Sequence, residues 1–226
     1  SDDIIGEKDS KKITLKVYFM HPFEQEWLNM EKPKVFGVMI EEDKIDLLSA
    51  LLNKKIKGKN AWETLFTIKR PGDYIFYLEP EPYWEPAEEK FIIHYTKVVI
   101  QALGKEEGWD KEVGLPIEII PLTRPYGLWV GNVFQGIVKV NGKPIPFAEV
   151  EIEYFNEGGK VKAPKGPYVT QVIKTDANGV FTYAIPKAGW WGFAALSKAS
   201  YKLKKHEKDY PVEIGGIIWV KAREIK

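Results

Sequence analysis

The chain has 226 residues, with 33 Lys and Arg against 32 Asp and Glu, and no Cys. Near-neutral charge argues against a nucleic-acid binder, which would carry a clear excess of cations. The missing Cys removes disulfides, thiolate metal sites and thiol nucleophiles together.

No apolar run approaches the roughly 20 residues that cross a bilayer, so no transmembrane segment is expected. Polar Ser1–Lys12 lacks the apolar centre of a leader peptide, and the chain is expected to be cytosolic or a processed, secreted form. Eight Trp, eleven Tyr, 15 Pro and 19 Gly favour sheet punctuated by turns.

Ser1–Lys12 reads as a frayed end. Ile13–Phe19 alternates Ile13, Leu15, Val17 and Phe19 with Thr14, Lys16 and Tyr18, the pattern of a half-buried strand. It stops at His21-Pro22, because proline has no N–H for a ladder. Lys34–Glu41 predicts a second strand, Asp46–Leu52 one or two helical turns, and Lys54–Asn60 a basic loop. Glu63–Ile68 and Tyr74–Leu78 predict two strands joined through Pro71-Gly72, a turn signal. Glu79–Pro86, with prolines at 80, 82 and 86, is irregular or extended. Phe91–Leu103 predicts a long strand, Gly104–Pro116 a loop anchored by Trp109, and Ile117–Pro121 a short extended segment.

Beyond Pro121–Pro125 the pattern becomes more regular. Leu128–Val140 predicts a strand pair or one bent strand, followed by Asn141-Gly142, a strong hairpin signal. Ala148–Phe155 alternates Val150, Ile152 and Tyr154 with Glu149, Glu151 and Glu153. Val169–Lys174 and Val180–Ile185, joined by Asp176-Ala177-Asn178-Gly179, predict a further hairpin. With Gly189–Ser197 and Ile217–Ala222 this makes about seven strands, a number that suits a sandwich. The fold class is therefore all-β with little helix: two β-sandwich domains, residues 1–122 and 123–226. The ordered segments Gly136–Ala148, Thr175–Phe181 and Gly189–Ala195 resemble the transthyretin-like or carboxypeptidase-regulatory-like sandwich family, and the two domains are expected to be immunoglobulin-like or transthyretin-like sandwiches.

Three histidines invite chemistry. His206 lies in the charged stretch Lys202–Lys208 and reads as solvated. His21 is held extended by Pro22, with Glu24 three residues on and Met20 and Met30 nearby. Imidazole, carboxylate and thioether could together hold a divalent transition metal; a capped strand end is the plainer reading. His94 shares a strand face with Ile92, Thr96 and Val98, opposite Ile93 and Tyr95. It is a core histidine or a metal ligand. The acids of Glu79–Glu89 could act as a glycosidase pair beside Tyr83 and Trp84, yet Glu89 stands about 17 Å along a strand from His94, and a solvated acidic turn is favoured. Trp190-Trp191 either offers a sugar platform or straddles a strand, one ring in the core and one at an edge. No phosphate loop, nucleotide fingerprint, serine elbow or helical two-histidine zinc motif occurs, so no enzyme is expected.

Several segments taken in order carry a wider resemblance: Val17–Glu24, Lys44–Leu48, Gly72–Phe76, Glu79–Glu85, Phe91–Lys97, Pro121–Tyr126, Gly131–Phe134 and Thr170–Ala195. Over most of residues 13–222 the chain resembles the periplasmic component of cobalt/nickel ABC-type uptake systems, a family also classed as a domain of unknown function. The resemblance implies a secreted or periplasmic, non-enzymatic protein that binds nickel or cobalt for an inner-membrane transporter. The implied ligands are His21, Glu24 and His94, and zinc would be accepted by the same set in a crystal. Many relatives begin, once processed, with a histidine; this chain begins Ser1-Asp2-Asp3, so the ligands are expected from within. Binding should weaken as pH falls and imidazole protonates. The alternatives are a metal-free carbohydrate- or envelope-binding sandwich using Tyr83, Trp84, Trp190 and Trp191, and an adaptor that contacts the transporter without any ligand.

Overall fold

The computed structural model describes residues 2–225; Ser1, part of the stretch expected to be frayed, and Lys226 are outside the described residues. The fold is all-β. The first strands are β1 (Ile4–Ile5), β2 (Lys12–Val17), β3 (Phe19–His21), β4 (Glu26–Leu28), β5 (Val35–Ile40), β6 (Asp43–Asp46) and β7 (Leu52–Ile56). Then come β8 (Lys59–Thr67), β9 (Gly72–Glu79), β10 (Tyr83–Glu85), β11 (Lys90–Ala102), β12 (Ile117–Pro121) and β13 (Leu128–Trp129). The last are β14 (Val133–Val140), β15 (Lys143–Pro144), β16 (Glu149–Tyr154), β17 (Thr170–Lys174), β18 (Val180–Ala184), β19 (Gly189–Lys205) and β20 (Lys208–Arg223). Among the described residues helix is limited to single 3-10 turns such as Leu48–Ala50.

One large sheet runs in the order β17-β16-β19-β20-β11-β9-β5-β6. Two smaller sheets stand apart from it, β2-β8-β7 and a second built on β12, β14, β15 and β18, with the ribbon β3-β4 beside them. Strand β11 joins the two halves of the chain. Its first part pairs in parallel with β20, Phe91 to Val98 against Val212 to Trp219, and its last part pairs antiparallel with β9. The side chains follow this change of partner. Ile93 and Tyr95 enter the core of the C-terminal half with Phe134, Phe181 and Phe193. Ile100 and Ala102 enter the core of the N-terminal half with Val38, Tyr74 and Phe76. A third cluster of Met39, Ile75, Tyr77, Val99, Val113 and Tyr126, with Trp109 packed on it, lies under the loop after β11.

Three expectations change. Residues 3–5 are not frayed: β1 pairs in parallel with β11 at Gln101 and Ala102, and buried Asp3 meets Arg223. Apolar Ile4-Ile5 and a paired acid give that segment something to bury. Lys54–Asn60 is not a loop but the hairpin of β7 and β8, turning on Lys57 and Gly58, both at positive φ. The segment at Pro71-Gly72 joins two strands, β8 and β9, as expected, whereas the tight turn at Asp176–Gly179 does not close the hairpin expected there. Strands β8 and β9 lie in different sheets, and β17 pairs with β16 while β18 pairs with β14. In the second case Asp176 Oδ1 accepts from the Asn178 and Val180 N–H groups. The turn chemistry was legible, but the chain crosses the sandwich there. Asn141-Gly142 does close a hairpin, β14 to β15, with both residues at positive φ.

Candidate functional site

In a strand alternate residues share a face. On β11 the face of Ile100 and Ala102 is sandwich core, while the same face further back carries Ile92, His94 and Thr96 into a cleft of about 2180 Å³. The polar residues thus occupy the stretch of inner sheet that the N-terminal strands leave open. Strands β3 and β4 contribute Phe19, Met20, His21 and Trp27 to the cleft lining, and Tyr18, between β2 and β3, adds to it. Strands β16, β19 and β20 contribute Glu149, Glu151, Glu153, Glu213 and Trp219, among others.

Register sets the floor. His94 lies opposite Gly215, Thr96 opposite Ile217, and Val98 opposite Trp219. Across the next strand Gly215 meets Leu196, Ile217 meets Ala194, and Trp219 meets Gly192; Ala194 and Gly192 then meet Glu151 and Glu153. Two glycines serve as saddles. A Cβ on Gly215 would stand 2.6 Å from His94 Cδ2, and one on Gly192 would stand 3.0 Å from the Trp219 ring. Each ring therefore lies across the backbone of its neighbouring strand, which a side chain at either glycine would prevent.

His94 Nε2 is buried and has no hydrogen-bond partner. Glu213 Oε1 stands 3.9 Å away, beyond hydrogen-bond reach, while Glu213 Oε2 accepts from Lys90 Nζ at 2.7 Å. The neighbouring His94, and with it the Lys90 ammonium, hold the Glu213 carboxyl down to about 2 against the opposing effect of burial. Glu151 is pushed the other way, raised by burial and then by Glu153 and Glu213. The phenyl ring of Phe19 packs edge-on to His94, centroids 6.4 Å apart. His21 is two residues along β3 from Phe19 and so shares its face.

His21 sits at the end of the β3–β4 ribbon, paired across it with Glu26. The turn Pro22–Gln25 is closed by the Gln25 N–H donating to the His21 carbonyl at 2.9 Å. Buried Asn156, from the other half of the chain, ties this turn down. Its backbone N–H donates to the Pro22 carbonyl at 3.2 Å and its Nδ2 to the Phe23 carbonyl at 3.0 Å.

Of the three ligands expected, His21 and His94 line the same cleft; Glu24 is exposed in the turn and does not line it. Among the described residues no group of three or more His, Asp or Glu is assembled closely enough to hold a metal ion. The sequence reading missed Glu213 and Trp219. Their one signal was Gly215-Gly216 inside a strand, a mark of close approach by another group. The aromatic platform is largely engaged: Trp84 packs on Phe91 and Tyr210 beneath Lys205, Lys221 lies over Trp190, and Trp191 is buried.

A family model described as a domain of unknown function, DUF4198, matches residues 1–199. No curated protein matches the chain. Among solved structures, a Bacteroides uniformis protein described as a candidate carbohydrate binding protein is 14% identical, covering 98% of this chain and 100% of its own, with a TM-score of 0.28. A DUF3823 family protein from the same organism is 10% identical over 93% of this chain and 99% of its own, TM-score 0.26. Titin domains A168–A170 are 10% identical over 98% of this chain and 61% of that one, TM-score 0.23.

Proposed function

We propose that this chain, which belongs to the DUF4198 family, a domain of unknown function, is a non-enzymatic periplasmic binding protein for nickel or cobalt that serves an uptake transporter. The observation that supports this reading is His94 Nε2, buried without a hydrogen-bond partner and 3.9 Å from Glu213 Oε1. An ion about 2 Å from each atom would bridge that gap. Imidazole and carboxylate suit nickel and cobalt, and no thiolate is needed. His21 would add a second imidazole from the β3–β4 ribbon, whereas Glu24, exposed in the turn that follows and outside the cleft lining, is no part of this set. Charge supports the same reading. Twelve carboxylate residues and five lysines line the cleft in a chain of net charge +1, and a cleft of one sign concentrates ions of the other.

Isothermal titration with nickel and with cobalt tests the proposal. His94→Ala should weaken binding at least about tenfold, the scale of losing one supporting group at a metal, and the double variant His21→Ala/His94→Ala should abolish it. Equal affinity in the wild type and the double variant would remove both imidazoles from the site.

A further inference from the structure

We infer that the other end of the cleft is a second binding site, built on Trp219, Phe155 and Glu153, and that it takes an organic ammonium ion. The inference uses different residues from the metal reading and shares with it only the cleft.

Trp219 lies over Gly192, so one indole face rests on backbone while the side chain lines the cleft. Phe155 stands at right angles to it, rings at 88° with centroids 6.2 Å apart, which makes a floor and a wall. Tyr18 continues the wall, 6.4 Å from Phe155, and Trp27 follows 4.9 Å beyond Tyr18. Register places Glu153 on the far side of Gly192 from Trp219. One Glu153 oxygen accepts from the Thr170 hydroxyl; the other, Oε2, is buried and has no partner.

Aromatic faces carry a negative quadrupole and attract cations whose hydration is weak, quaternary and alkylated ammonium groups above all. A carboxylate oxygen without a donor adds a full charge to that attraction. A transition metal finds little here, because rings without nitrogen lone pairs are poor ligands and both imidazoles are elsewhere in the lining. A neutral sugar would stack on Trp219 and donate a hydroxyl to Glu153 Oε2, but it carries no charge to meet the excess of carboxylates in the lining, and the uncharged alcohol of the test stands for that case.

The test is calorimetric titration of the full chain with choline and with its uncharged isostere 3,3-dimethyl-1-butanol. Choline should bind, and the alcohol should bind at least about tenfold more weakly, since charge carries cation–π attraction. Trp219→Leu and the milder Glu153→Gln should each weaken choline binding by about tenfold. Absence of choline binding, equal binding of the alcohol, or wild-type affinity in both variants would overturn the inference. Nickel titrated separately into the wild type reports on the His94 end, so either site can fail while the other stands.

Discussion

Asn156 holds the Phe23 carbonyl from the opposite half of the chain. Its Nδ2 donates to Phe23 at 3.0 Å and to the Val161 carbonyl at 2.9 Å, while its Oδ1 accepts from the Val161 N–H at 2.9 Å. One buried side chain thus orders its own loop and fixes the turn that follows His21. Asn156→Ala leaves these groups without partners, at a cost of about 2 kcal/mol, or about 4–8 °C in Tm for a chain of this size. It should also weaken nickel binding although Asn156 is no ligand. Thermal unfolding and titration of the same variant check both effects; an unchanged Tm would show that the tether carries no load.

Gly215 tests the saddle. Its φ is not positive, so an added methyl meets only the clash with His94 Cδ2 at 2.6 Å and Nε2 at 3.1 Å. Gly215→Ala should cost about 1–3 kcal/mol through overpacking and should displace the imidazole. Nickel affinity should then fall as it does in His94→Ala. Retained affinity would mean that the ring can bind from another rotamer.

Asp73 supplies a pH dependence. It is 2% exposed, and neither carboxyl oxygen nor the neighbouring Tyr126 hydroxyl has a hydrogen-bond partner. Burial pushes its carboxyl up to about 6 from an ordinary 3.8. A raised acid binds its proton more tightly when folded, so its contribution to stability is full below about 3.8 and is lost as pH rises through about 6. Asp73→Asn removes the penalty of ionisation. The variant should be more stable than wild type at pH 8 and gain nothing at pH 3.5. Urea unfolding at the two pH values checks this, and an equal difference at both would mean that Asp73 does not titrate in the interior.

The buried pair Lys97–Glu118 predicts an asymmetry. Lys97 Nζ lies 2.6 Å from Glu118 Oε1, and the same carboxylate accepts from the N–H groups of Val113, Gly114 and Leu115. Glu118→Ala strands a buried ammonium and three donors, and should cost about 3–5 kcal/mol. Lys97→Met leaves the carboxylate its three donors and should cost less. Denaturant unfolding of the two variants ranks them, and a larger loss in Lys97→Met would reverse the account.

Much of this fold was legible because its signals are local. Period-two alternation in Ile13–Val17 and in Glu149–Tyr154 gave strands with the expected faces buried. Trp191 is in the core with Trp190 at its margin, as a strand pair of that kind requires. The turns were found too, but a tight turn does not say whether the next strand returns to the same sheet. That depends on which apolar face meets which core, and so β8 and β9, and β17 and β18, part company.

The sequence by itself determined an all-β chain, the face on which His94 lies, and the extended approach of His21 to its proline. Only the tertiary structure decided what those histidines meet. The parallel pairing of β11 with β20, from strands more than a hundred residues apart in the chain, lays His94 over Gly215 beside Glu213. Alternation along one strand reports which face is polar; it holds no information about which distant strand lies alongside, and the neighbour supplies the carboxylate, the saddle and the indole floor.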